Sequence, residues 1–526
     1  MKLKKSAFAI FASITAMSLT ACGAQKDVTF WSSFGGKYTE ILKSLVKKIE
    51  KETSISIKHE SKGSYPGILK QMVASIGTSK YPSIAIGYPD HFAQYHGSGI
   101  LVQLDDHFKD VIKQYDKNYM PENYLYDTNG EKHLYGVPFN KSTELLGYNG
   151  VFVDYVAEKY AEGDPAVLAE IRKVPATWDE WALAKDDPTS KAGLYLKEFN
   201  YLINLGGTGK TLYAIQDADG TAHDFSETPA SGKVKVLDYS TMDEATKKQT
   251  RLFCWDSLDN AFITLVRQWD SKYTELPKDQ IKLHPKERAG KVLFANKTNL
   301  PKTIEMLKFF NKMYKDEIFG TPSAELKAKF CSEPFAQGRV MFMICSSGGL
   351  SYNTENWEKR FRMAPIPYHT EDHKYVISQG ANICMTKKAN AKKAVQVIKA
   401  LTTGKFQTEW ALKTGYFPAS STAEETPEYQ NFLKNTSFKD KTVAIYREGH
   451  QVNYNEYRAK NWFRFVDDAF IGSATVRTLV ADILPNVFKN VTDVDNTNGY
   501  KNQIKKILQD PLISSSLNIT VDSDLI

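Results

Sequence analysis

The spacing of apolar residues switches repeatedly between two periods along the first part of the chain, and the switches predict its elements. Asp27 to Trp31 has the pattern of a strand, and Tyr38 to Glu52 places Ile41, Leu42, Leu45, Val46 and Ile49 on one helical face. Ile55 and Ile57 alternate with polar residues as a second strand. Ser64 and Pro66 suit the start of a helix carrying Ile68, Leu69, Met72, Val73 and Ile76, and Ser83 to Tyr88 is a third strand. Strand, helix, strand, helix, strand with short connections builds βαβ units and hence a parallel sheet with right-handed crossovers, an α/β fold.

Further along, Tyr135 to Phe139 is a short extended run, separated by Asn140-Lys141-Ser142-Thr143 from a second run, Glu144 to Asn149. Thr177 and Glu180 are spaced as a capping box. From about Asp186 to Trp255 the pattern weakens into Gly, Asp, Ser and Thr, as in an insertion or a decorated edge. Ile304, Leu307, Phe310, Met313 and Tyr314 mark an amphipathic helix. Gly338 then ends another helical stretch before the buried strand Val340 to Ile344 and the small residues Ser346, Ser347, Gly348 and Gly349. Phe361 to Ile366 and Ala381 to Met385 read as strands, Ala391 to Leu401 and Phe406 to Lys413 as helices, with Gly415 placed as a C′ residue. From Asn461 onward the apolar positions (Trp462, Phe463, Phe465, Val466, then Val476 to Val487) are expected on helices.

In open α/β sheets ligands bind beyond the carboxyl ends of the strands. Those ends carry Trp31-Ser32-Ser33, Tyr88-Pro89-Asp90 and Ser346-Ser347-Gly348. Aromatic faces with hydroxyls and a carboxylate suit a polyol, whose C–H faces stack on rings while its hydroxyls need donors and acceptors. Asp90 also has the position of a helix cap. Asp256 and Asn260, in CWDSLDN, are further polar candidates.

The amino terminus changes the picture of where this chemistry operates. Lys2, Lys4 and Lys5 precede an apolar run from Ser6 to Leu19, which predicts a secretory signal peptide over residues 1–21. The ending Leu19-Thr20-Ala21-Cys22 resembles a lipobox, which implies a diacylglycerol on the Cys22 sulfur and a tether over 22–27. Of the formal net charge of +7, three charges sit on leader lysines, so the mature chain carries +4, a mild excess that argues for no nucleic-acid partner. Beyond Cys22, the four residues Cys254, Cys331, Cys345 and Cys384 allow three full pairings, and the last two lie in apolar runs that suit burial. The GGTGKT stretch at 206–211 lacks the first glycine of a phosphate loop, since Asn204 stands there. Asp493-Val494-Asp495 likewise lacks the spacing of a calcium loop. No cofactor or catalytic metal is expected, and no Gly-x-Ser-x-Gly is present.

Taken in order, SKGSYPGIL (61–69), YGVPFNKSTELLGYN (135–149), PATWDEW (175–181), FAQGRVMFMICSSGG (335–349), RMAPIPY (362–368), SQGANICMTKKANAKKAVQVIKALT (378–402) and KTGYFPAS (413–420) resemble the extracellular solute-binding proteins of bacterial ABC importers, in the branch of maltodextrin and glycerol-3-phosphate binders. The resemblance implies two α/β lobes of the periplasmic-binding-protein kind, one formed by 28–138 with about 380–446, the other by 139–379 with about 447–526 and an insertion at about 186–255. Chain crossings are expected near 137–144, 376–381 and 447–455. It also implies ligand contacts at Tyr65, Ser142, Ser347, Gly380 and Tyr416, to be added to Trp31, Ser32, Asp90 and Ser346, with Tyr88, Asn140, Asp256, Asn260 and Gln451 as weaker candidates. The arginine that pairs a phosphate in the glycerol-3-phosphate branch has Gln451 as its nearest match, with Arg447 and His450 close by, a departure that favours an uncharged sugar. The implied activity is non-enzymatic: a monomeric, lipid-anchored receptor on the outer face of the cell membrane that passes a carbohydrate to an ABC permease. The alternatives are a glycerol-3-phosphate or glycerophosphodiester binder, or a surface glycosidase using Asp90 with Asp256.

Overall fold

The computed structural model describes residues 26–526 except 79, 354–360, 436, 438, 524 and 526, so the expected signal peptide and Cys22 lie outside the described residues. Its centre is a ten-stranded mixed sheet in which two long strands, Gly136–Asn149 and Tyr375–Met385, run antiparallel beside each other. On one side of this pair come Ile84–Gly87, Val28–Ser32 and Ile57–Ser61. On the other lie Val340–Ser346, Arg251–Trp255 and Phe319–Gly320. Within each flank the strands are parallel, as βαβ crossovers require.

The apolar residues form two lobes around this sheet. One cluster joins Val28, Phe30, Leu42, Ile84, Ile86, Val137 and Phe139 to Ala381, Ile383 and Trp410. The larger one joins Leu145, Leu146, Trp178, Trp255, Phe342, Val376 and Ile377 to the C-terminal helices. Ala411, Tyr429, Phe432 and Tyr446 also pack with the larger cluster. Along each long strand the packing partner therefore changes between residues 139 and 145 and between 377 and 381, where the chain leaves one core for the other.

Several elements start and stop where the sequence says they should. Ser64 caps Tyr65–Ser75 by accepting from the Gly67 amide, Thr177 and Glu180 form the reciprocal capping box of Trp178–Asp186, and Gly415 closes Gly404–Thr414 in the left-handed region. Two stretches differ from expectation. Residues 136–149 are one strand rather than two runs about a polar loop, because Asn140, Lys141, Ser142 and Thr143 are buried between the lobes. Phe463–Phe465 is not helical; it is a strand paired in parallel with Tyr375–Ile377. The backbone pairing to the long strand, and not the spacing of its apolar residues, sets this conformation.

The 186–255 stretch holds a helix, Lys191–Ile203, and a small antiparallel sheet of Thr211–Gln216, Ala222–Ser226 and Val234–Asp238. It ends in Arg251–Trp255, which belongs to the large sheet. GGTGKT is the turn leading into Thr211–Gln216. Cys254 and Cys331 form a disulfide, and Cys345 and Cys384 are free and buried. No helix among the described residues is long and apolar enough to cross a membrane.

Candidate functional site

The parallel strands of both flanks end toward the space between the lobes, and the two long strands floor it. Tyr88 precedes the helix Pro89–Gly97 with a proline in its first turn, which leaves Asp90 in that turn at the positive end of the helix. Its Oδ1 accepts from the His91 amide at 2.8 Å. Opposite, the helix Leu258–Gln268 brings Asp259 and Asn260, and Ser473–Val480 brings Arg477. These groups enclose a cavity of about 190 Å³ with Tyr273, Ser378, Gln379 and Gly380 in its wall.

The electrostatics of this cavity are lopsided. Asp90, Glu122, Asp259, Asp467 and Asp468 line it against a single guanidinium, Arg477. Arg477 donates to Asp259 at 2.9 Å, to Asp467 at 3.2 Å and to the Asn260 side-chain oxygen. Burial works against its charge, but Asp259, Asp467 and Asp90 more than offset this and hold it above the usual arginine range. Below it Glu144 is buried, with Trp255 Nε1 donating to its Oε1 at 3.0 Å and Oε2 without a partner. Burial pushes its pKa up to about 8, so the group is largely neutral at pH 7.

The Ser378 hydroxyl, the Gln379 side-chain oxygen and the Tyr273 hydroxyl are buried in the same wall without hydrogen-bond partners. Buried polar atoms are ordinarily paired. Three such unpartnered atoms belong to residues of this one cavity wall.

Beside the cavity stands an aromatic group from the other sequence-expected residues. The Tyr65 and Tyr88 rings lie 4.4 Å apart, and Asn140 Nδ2 donates to the Tyr65 hydroxyl at 3.1 Å. Tyr416 stacks on Trp410 at 6.0 Å and reaches Tyr38 at 6.1 Å. The Tyr38 hydroxyl contacts the Gly348 carbonyl and Ser351 across the lobes.

Tyr88, Asp90, Asn260 and Gly380 thus line the cavity, while Tyr65, Asn140 and Tyr416 stand in the adjoining aromatic wall. Ser142 is buried in the floor strand opposite Gln379, Ser346 accepts from the Gly348 amide, and Ser347 accepts from the Thr143 amide. Trp31 is buried under the Lys62 ammonium, 4.0 Å from its ring, and Ser32 bonds His59 at 2.7 Å. Asp256 accepts from the Cys331 amide and Gln451 donates to the Leu433 carbonyl, neither in the cavity wall. His450 is buried against Tyr429, with its pKa pushed down to about 3 by burial.

Sequence reasoning missed Arg477, Asp259, Asp467, Tyr273, Ser378 and Gln379. The available signal was a lone arginine between Val476 and Val480 on a helix face otherwise apolar, and the Asp467-Asp468 pair just before it.

The family described as bacterial extracellular solute-binding protein matches residues 44–437. The chain is a bacterial extracellular solute-binding protein. This solute-binding protein is 24% identical over 443 residues, 82% of each chain, to the sn-glycerol-3-phosphate-binding periplasmic protein UgpB of Pectobacterium atrosepticum. It is 29% identical to UgpB of Escherichia coli K12 over 177 residues, which is 32% of this chain and 38% of that one. Among solved structures it resembles UgpB of Mycobacterium tuberculosis in complex with glycerophosphocholine (15% identity, TM-score 0.60, covering 91% of this chain and 96% of that one). It also resembles the GacH receptor of Streptomyces glaucescens (12% identity, TM-score 0.60, covering 92% and 98%). Both likenesses establish the two-lobed fold.

Proposed function

We propose that this solute-binding protein captures a neutral, polyhydroxylated solute, a sugar or polyol, between its lobes and delivers it to the transmembrane subunits of an ABC importer. The observation that carries the solute class is the cavity wall: three unpartnered polar atoms and two tyrosine rings among five carboxylates and one guanidinium. Acidic groups accept from sugar hydroxyls and repel a phosphate, and the one arginine is already committed to Asp259, Asp467 and Asn260. The names of the UgpB relatives favour glycerol-3-phosphate as the second reading, with Arg477 as its cation.

The contacts we assign are Tyr88, Asp90, Asn260 and Gly380 with the adjoining Tyr65, Asn140, Ser142, Ser346, Ser347 and Tyr416. Trp31 and Ser32 act from beneath. The lobes divide where the long strands change cores. The protein works as a monomer without catalysis, exported by its signal peptide and held at the membrane through lipid on Cys22. Ligand contacts made to both lobes at once favour the closed form.

A thermal-shift and calorimetric screen of the body from Gly23, against sugars, polyols, glycerol-3-phosphate and glycerophosphodiesters, tests the reading. Binding at a hundredfold excess over Kd raises stability by about 2.7 kcal/mol. A shift with a neutral saccharide, weakened in Asp90→Asn and Tyr88→Ala, is expected. A shift with glycerol-3-phosphate alone overturns the neutral-solute reading.

A further inference from the structure

The cavity at Arg477 adjoins a larger one, about 300 Å³, and the two share Pro89, Glu122, Val466, Asp467 and Asp468 in their walls. The inner one, at about 190 Å³, is smaller than the roughly 300–1,000 Å³ of a typical small-molecule site, whereas the adjoining pair falls within that range. Like the inner cavity, the outer one lies between the lobes. Tyr124, Tyr126 and Lys132 come from one side and Arg288, Arg464 and Phe470 from the other.

Its charges are arranged in the opposite sense. The carboxylates that reach it are engaged: Glu122 with Lys141, Asp467 with Arg267 and Arg477, and Asp468 with the Leu276 amide at 3.0 Å. The cations are not matched by acids. Arg288 donates to three backbone carbonyls, those of Leu283, Tyr126 and Asp127, at 3.0, 2.8 and 2.7 Å. Arg464 donates to the neutral Asn453 side chain at 3.1 Å, and Lys132 lies 5.1 Å from the Tyr126 ring centre. None of the three has a carboxylate within ion-pair distance among the described residues. Carbonyls and ring faces solvate a cation without neutralising it, and the Asp127 carboxylate acts on Arg288 only from beyond ion-pair distance, so an oxyanion brought among these groups gains charge-assisted hydrogen bonds without displacing an existing ion pair.

The geometry points to an elongated solute whose neutral polyhydroxylated part fills the inner cavity while an oxyanion at its far end, a carboxylate or a phosphate, sits in the outer one among Lys132, Arg288 and Arg464. This inference rests on the saccharide reading of the inner cavity, keeps a neutral polyhydroxylated part there, and departs from a wholly neutral solute in placing a charge at its far end, with a length and a direction of binding.

Calorimetry on the body from Gly23 with three probes tests it: a neutral glucose trisaccharide, the same trisaccharide ending in glucuronate, and one ending in a sugar phosphate. We expect at least one acidic probe to bind tenfold or more tighter than the neutral one at low salt. The gap should narrow at high salt and be abolished in Arg464→Gln. Lys132→Gln, at an exposed residue, should narrow it too and serves as the control that folds regardless. Comparison of the two acidic probes tells carboxylate from phosphate. Equal binding of neutral and acidic probes, or a gap that survives both substitutions, overturns the inference and leaves the sugar-receptor reading standing. Binding of none of the three overturns both.

Discussion

The Tyr38 hydroxyl lies 2.7 Å from Ser351 Oγ and 3.0 Å from the Gly348 carbonyl, and so joins the first helix of one lobe to the loop after Val340–Ser346 in the other. With one proton to give, it donates to Gly348 and accepts from Ser351. The contact is buried and joins the two lobes, and it is expected to be made on closure. Tyr38→Phe should cost the closed state about 1–2 kcal/mol, seen as a roughly 5- to 30-fold weaker Kd with little change in the stability of the free protein. Calorimetry with the solute found by screening, paired with small-angle scattering of the free form, measures both. An unchanged Kd would mean that the contact persists when the lobes separate.

Glu144 makes stability depend on pH in a defined direction. Burial raises its pKa to about 8 from the model-peptide range, so between roughly pH 4.5 and 8 the folded protein holds a proton that the unfolded chain releases. Stability from this group is therefore fully present below about pH 4.5, falls progressively as pH rises from there, and is fully lost once pH has passed about 8. Glu144→Gln keeps the shape and removes the titration. It should match the parent near pH 5 and exceed it above pH 8 by up to a few kcal/mol. Urea unfolding of both proteins from pH 5 to 9 checks this, and parallel curves would show that Glu144 is ionised throughout.

The four cysteines beyond Cys22 should separate cleanly by chemistry. Cys254 and Cys331 are joined across 77 positions of sequence, a long loop whose closure restricts the unfolded chain. Replacing both by serine should cost about 2–5 kcal/mol. Cys345 and Cys384 are buried, and burial pushes the Cys384 thiol up to about 12, so neither should react with a thiol reagent until the protein unfolds. Rapid labelling of the native parent would contradict this placement.

Gly380 is fixed by its backbone. Its φ is +92°, and a Cβ there would stand 1.8 Å from the Asn140 carbonyl oxygen, in the ladder between the two long strands. The Gly380 carbonyl also accepts from the buried Lys141 ammonium at 3.0 Å. Gly380→Ala should cost several kcal/mol or prevent folding, because both the conformation and the spacing forbid a side chain. Circular dichroism during chemical unfolding measures it. A stable variant that had merely lost solute would assign the glycine to ligand contact alone.

Where one face of an element was covered by a single neighbour, its residues announced it: the Ile41 to Ile49 stripe, the Ser64 and Thr177 caps and the apolar run at Val340 were all legible. The stretch 140–143 was not, because four polar residues in a row normally mark a solvated loop, and here they floor a cleft between two cores. Tyr65 and Tyr416 were found through family resemblance and Tyr88 through its place at a strand end, and they stand together with Asn140. Arg477 escaped because its partners, Asp259 and Asp467, lie far away in the sequence for one and in a stretch misread as helix for the other. Local pattern does not reveal a charge cluster whose members lie 218 positions apart, as Asp259 and Arg477 do.

The two long strands share a ladder that runs from Ser378 opposite Thr143 to Cys384 opposite Gly136, with one slip between Ala381 and Asn382. Both lobes are therefore sewn to the same two-ply ribbon, and their relative motion has to be expressed as twist in that ribbon. Such a joint behaves as a torsion bar: displacement in either direction meets a restoring torque spread over several rungs, with the slip as its softest point. Opening the lobes is therefore expected to be opposed by the same ribbon that carries both of them.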